Sequence, residues 1–80
     1  MRVTTILVND VPRVVVWPVD RKALARFLRN GHAYLTEGFP DDAIVTHRDA
    51  EHDETARWQS AFRLHQVWGG SDDTFFGIPL

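Results

Sequence analysis

His47 and His52, with Asp49 between them and Asp53 alongside, are the side chains whose types and spacing come nearest to a chemical site. A metal centre needs three or four donors that converge and are held by a second shell of partners. The sequence has no HExxH run and no cysteine, and the two histidines fall at a strand end and in a polar turn, so they read as surface residues. His32, just past a helix end, suits the negative pole of the helix dipole. His65 falls on the polar face of its segment. Nucleophilic chemistry has no better footing, because neither Ser60 nor Ser71 sits in a G-x-S-x-G elbow. The pairs Asp41-Asp42 and Asp72-Asp73 lie in turns, where a carboxyl lacks the burial that raises its pKa for acid–base work. Gly69-Gly70 leads into acidic residues that would repel a phosphate. The expectation is a protein that binds without catalysing, with no metal and no cofactor.

Eighty residues make one domain, 1–80. With 44% apolar and 25% charged residues the chain has enough core-forming material to fold alone and is no disordered tail. No apolar run approaches a membrane span, and no secretory signal segment is expected after Arg2. The lack of cysteine suits a reducing compartment, and the cytoplasm is the expected location. The net charge of −2 hides an asymmetry: residues 1–35 carry +4 and residues 36–80 carry −6. Polarity of this kind between halves is the plainest functional signal in the chain.

The elements that must position these charges follow from pattern. Val3 to Val8 and Arg13 to Trp17 are β-branched runs separated by Asn9-Asp10-Val11-Pro12, and predict a hairpin. The continuous apolar run of the second strand predicts burial on both faces. Asp20 is a fitting N-cap, with Val19 and Leu24 placed as a hydrophobic staple. Leu24, Phe27 and Leu28 recur at helical spacing, and Asn30-Gly31 is a stop, so a helix spans about 20–30. His32 to Thr36, Ala43 to Arg48 and Thr74 to Ile78 read as strands. Arg57 to Trp68 fits two patterns: a strand with Trp58, Phe62, Leu64 and Trp68 on one face, which is preferred, or a helix in which Glu54 and Arg57 interrupt the apolar arc. The fold class is therefore α+β, a mainly antiparallel sheet of about 5–6 strands with one helix packed on it. A meander of the later strands would place loops 37–42 and 69–73 at one end and Asp49 to Glu54 at the other.

Two charged surfaces emerge. Asp49, Glu51, Asp53 and Glu54, with Asp41, Asp42, Asp72 and Asp73, put carboxylates in three turns, where their field would steer the domain toward a basic groove on a protein partner. The bland alternative is that acidic turns keep a small β-rich protein soluble. Lys22, Arg26 and Arg29 form a basic stripe on the helix that could follow phosphates, although the acidic pI near 6.0 argues against direct nucleic-acid binding. Trp68, Phe75 and Phe76 flank an acidic loop and are candidate interface aromatics.

In plan, a hairpin (VTTILVNDVPRVVVW), one helix (DRKALARFLRNG) and acidic turns (GFPDD, DAEHDE, GGSDD), the chain resembles the small anti-CRISPR proteins of phages and prophages directed at type I systems. The resemblance implies a stoichiometric inhibitor in the host cytoplasm that binds a crRNA-guided surveillance complex and occludes DNA entry. It assigns no role to an individual residue. Two further classes stay open: a nucleic-acid-binding accessory protein using the basic helix, and a phage structural or assembly protein, monomeric or a small homo-oligomer.

Overall fold

The computed structural model describes residues 3–16, 20–71, 75 and 77–80. The amino-terminal hairpin pairs β1 (Thr4–Val8) with β2 (Val11–Val16) across a two-residue turn. Asn9 and Asp10 both have positive φ, 50° and 65°, the backbone sense that matches the twist of the flanking strands. Asn and Asp tolerate it better than other non-glycine residues. The turn is thus tighter than the four residues expected, and Pro12 lies inside β2. Its missing N–H is accommodated by a shift of register: Ile6 pairs Val14 while Leu7 pairs Pro12, leaving Arg13 as the extra residue of a bulge. Arg13 uses that position to donate from Nε and Nη2 to the carbonyls of Leu35 and Tyr34, at 3.2 and 3.3 Å. Its guanidinium also lies 5.6 Å from the centre of the Phe39 ring.

The chain continues through α1 (Arg21–Asn30), a single turn α2 (His32–Leu35), β3 (Val45–Asp49), α3 (His52–Val67) and β4 (Gly77–Pro79). All pairings are antiparallel, in the order β3-β1-β2-β4. The hairpin therefore forms the centre of the sheet, which is why Val14, Val15 and Val16 are all buried. Side chains alternate across it. Ile6, Val8, Val14 and Val16 meet Leu24, Phe27, Leu28 and Leu35 on one face, and Val3 and Val15 meet Trp58 and Phe62 on the other. The sheet is held between α1 and α2 on one side and α3 on the other.

Among the described residues there are four strands and three helices, against the 5–6 strands and one helix expected. His32 to Thr36 is not a strand. Gly31 has φ −93° and ψ 7°, so it does not enter the left-handed region, and the backbone carries on into α2. A Cβ at Gly31 would lie 3.0 Å from the Phe27 carbonyl oxygen, which accounts for glycine at this close approach. Arg57 to Val67 belongs to α3 and Trp68 is its C-cap, so the preferred strand reading fails. The closing strand is shorter than Thr74 to Ile78 and shifted to Gly77–Pro79; Thr74 and Phe76, like Trp17 and Val19, lie outside the described residues. No meander forms, because β3 pairs with β1 and β4 with β2. Among the described residues no helix is long and apolar enough to cross a membrane.

The α1 start is as expected: Asp20 Oδ1 accepts from the Ala23 N–H at 2.8 Å. The α1 side chains Leu24, Phe27 and Leu28 pack half-buried against the sheet, and the cap adds to what fixes the helix. Asp20→Ala should cost about 1 kcal/mol, lowering the thermal midpoint by roughly 4–8 °C in differential scanning calorimetry.

Candidate functional site

β3 is an edge strand, and carboxylates flank it at both ends. Asp41 and Asp42, both exposed, lie in the turn before it; Asp49 closes it, and Glu51 and Asp53 follow at the start of α3. Five residues of strand separate the two groups by roughly 13–17 Å. Asn9 anchors the first end, donating its N–H to the Ile44 carbonyl at 2.9 Å and accepting the Ile44 N–H on Oδ1 at 3.0 Å. This brings Asp10 beside Ile44 and Thr46, so a third turn carboxylate joins Asp41 and Asp42 at that end.

The second end is built around Glu54, and here the expected set changes. Glu54 is only 6% exposed and is a structural residue rather than a docking one. Its Oε1 accepts from the Thr5 hydroxyl at 2.9 Å, the Glu51 N–H at 2.8 Å and Arg48 Nη1 at 2.8 Å, and its Oε2 accepts from Arg48 Nη2 at 3.2 Å. The Glu51 side chain accepts from the Glu54 N–H in return, completing a capping box. The Arg48 guanidinium, with the Glu51 N–H and the Thr5 hydroxyl, holds the Glu54 carboxyl down at about 2, against burial, which pushes it up. Arg48 also stands 3.7 Å from Glu51 and donates to the Asp49 carbonyl at 3.1 Å. The single cation between residues 30 and 56 is thereby turned inward by Glu54. Asp49, Glu51 and Asp53 keep their exposed places around it.

Nothing matches this chain among family models, curated proteins or solved structures. Function rests on the surface chemistry alone.

The remaining candidates sit apart. Lys22, Arg26 and Arg29 are exposed on α1, which carries four cations and no carboxylate. His47 projects from β3 and His52 starts α3; among the described residues no three His, Cys, Asp or Glu side chains converge as metal ligands. Asp72 and Asp73 lie outside the described residues. His65 is on α3 rather than on a polar strand face: its ring is 5.3 Å from that of Phe75, and its Nε2 is 2.8 Å from the Ser71 carbonyl oxygen. Phe75 packs against Trp58 and Phe62 and belongs to the core. Trp68 is 86% exposed, as its place among the candidate interface aromatics requires. Leu64 and Val67 share that exposed surface; Val67 and Trp68 follow Leu64 by three and four residues, a spacing that groups them only once the segment is taken as a helix. A groove of about 180 Å³ lined by Val14, Phe27, Tyr34 and Pro79 is mostly apolar among the described residues.

Proposed function

We propose that this protein is a non-catalytic inhibitor that places its acidic edge on a basic, nucleic-acid-binding surface of a protein complex, a type I CRISPR surveillance complex being the target implied by resemblance. The observation that carries the reading is the placement of charge around β3. Asp49, Glu51 and Asp53 are exposed at one end and Asp41 and Asp42 at the other. The one arginine among them is engaged by Glu54. A row of carboxylates on an exposed edge mimics the charge that such a groove is built to receive. Compartment follows from the target: the host cytoplasm.

The runner-up is direct nucleic-acid binding through α1, favoured by its four cations without a carboxylate. One pair of variants separates the two. Reversing Asp41, Asp42 and Asp53 to Lys, all exposed, shifts local charge by six units and leaves the Glu51–Glu54 capping box and its arginine in place. Immobilised protein should then lose capture of a nucleic-acid-handling complex from bacterial lysate, with affinity reduced about 10- to 100-fold at low salt. Reversing Lys22, Arg26 and Arg29 to Glu should leave capture intact. The opposite pattern would transfer the contact to α1.

A further inference from the structure

Helix α3 has two stripes. Glu54, Trp58 and Phe62, four residues apart, lie under the helix; Glu54 and Trp58 are buried and Phe62 packs half-buried against the same core. Along one flank of the helix, about a quarter-turn round from that buried stripe, Arg57, the half-buried Ala61, Leu64 and Trp68 follow one another at intervals of four, three and four. At 100° per residue they occupy one strip of the helix, with the spacing of a coiled-coil seam. Ser60 and Val67 flank it. The seam is open: Leu64 is 59% exposed, Val67 75% and Trp68 86%. The end of the helix is firmly set, so this display is not fraying. Gly69, with φ 85°, donates to the Gln66 carbonyl at 3.0 Å, and Gly70 donates to the His65 carbonyl at 2.9 Å. This is a Schellman stop. A Cβ at Gly70 would strike the His65 ring.

We propose that this seam is a homodimer interface, its occupant the α3 seam of a second copy lying antiparallel across a two-fold axis. Self-complementarity selects that occupant. Turning one helix end for end and centring the axis between Phe62 and Arg63 sets Trp68 of each copy opposite Arg57 of the other. The same operation sets Leu64 opposite Ala61. The indole then finds a guanidinium for its face, and the small side chains of Ala61 and Ser60 leave room for Leu64 and Val67 from across the axis. The exposed Arg57 and the exposed Trp68 thus satisfy one another twice in one isologous contact. A parallel arrangement would instead stack Arg57 on Arg57. Trp68 alone offers roughly 200 Å², and two seams of this length reach only the lower end of specific interfaces, about 1,000–1,200 Å² in total. The dimer is therefore weak, of micromolar affinity. It leaves Asp49, Glu51 and Asp53 at the two outer ends of the helix pair, so the acidic edge stays accessible in both copies.

Sedimentation equilibrium over a concentration series tests this. The apparent mass should rise from 9.2 kDa toward twice that value. Trp68→Glu should hold it at the monomer mass with an unchanged far-UV spectrum and thermal midpoint, since Trp68 supports no core contact. Arg57→Ala should raise the dissociation constant about 5- to 20-fold. A chain that stays monomeric to near-millimolar concentration overturns the proposal. So does a dimer that survives Trp68→Glu, because a different face would then carry it.

Discussion

Trp58→Ala should be the most damaging single substitution in the described structure, at about 3–5 kcal/mol. Trp58 is fully buried where α3 meets the sheet. Its ring stacks on Phe62 at 5.2 Å and meets the edge of Phe75 at 5.6 Å. It closes the smaller of the two cores over Val3 and Val15, and few neighbours are free to fill the space it would leave. An 80-residue domain has roughly 4–12 kcal/mol of net stability, so the loss approaches the whole. Calorimetry should register a fall in midpoint of roughly 15–25 °C or no cooperative transition. Gln59→Ala, one residue along and exposed, should stay within about 0.5 kcal/mol of wild type. Equal effects from the two would mean that α3 is turned about its axis relative to the arrangement described.

Glu54→Gln should come next, at on the order of 2–3 kcal/mol, because a nearly buried amide would replace a carboxylate that accepts four hydrogen bonds and pairs with the partly exposed Arg48. The effect has a pH signature. The carboxyl titrates near 4.5 in the unfolded chain and near 2 in the folded one. The folded state therefore holds the proton less tightly, and the stabilisation is complete above about pH 4.5. It is lost as pH falls through the window toward 2. Wild-type protein should lose stability steeply across that window in urea titrations, whereas Glu54→Gln should start lower and stay nearly flat. Parallel pH profiles for the two would mean that Glu54 is not the group responsible.

The same carboxylate explains what was legible in the sequence and what was not. The hairpin and α1 were readable because β-branched runs, a capping aspartate and an apolar stripe all agreed. The Arg57 to Trp68 segment was not, because Glu54 falls in the buried arc of α3 and an acidic residue there counts against a helix by pattern alone. Its burial is made possible by Thr5 and Arg48, contributed by two strands of the sheet. That is tertiary information. Composition was the better guide: from His52 to Gln66 there is no glycine or proline and one β-branched residue, Thr55. Glutamate is also an unusual N-cap, so the box formed by Glu51 and Glu54 does not announce itself. Of the acidic set, Asp49, Glu51, Asp53, Asp41 and Asp42 are exposed as expected. Glu54 alone among the described members turns inward, and charge by itself does not distinguish it from its neighbours. The strand pattern of His32 to Thr36 misleads because a glycine after a helix usually ends it, and here Gly31 continues the turn.

The central claim, that the acidic edge competes with nucleic acid for a basic surface, is tested most directly by titrating the protein into a crRNA-loaded type I surveillance complex and following binding of labelled target DNA. DNA binding should fall linearly and end at a stoichiometric equivalence point. The variant with Asp41, Asp42 and Asp53 reversed to Lys should leave it intact. Undiminished DNA binding at a large excess of the protein, or equal inhibition by the reversed variant, would contradict the account.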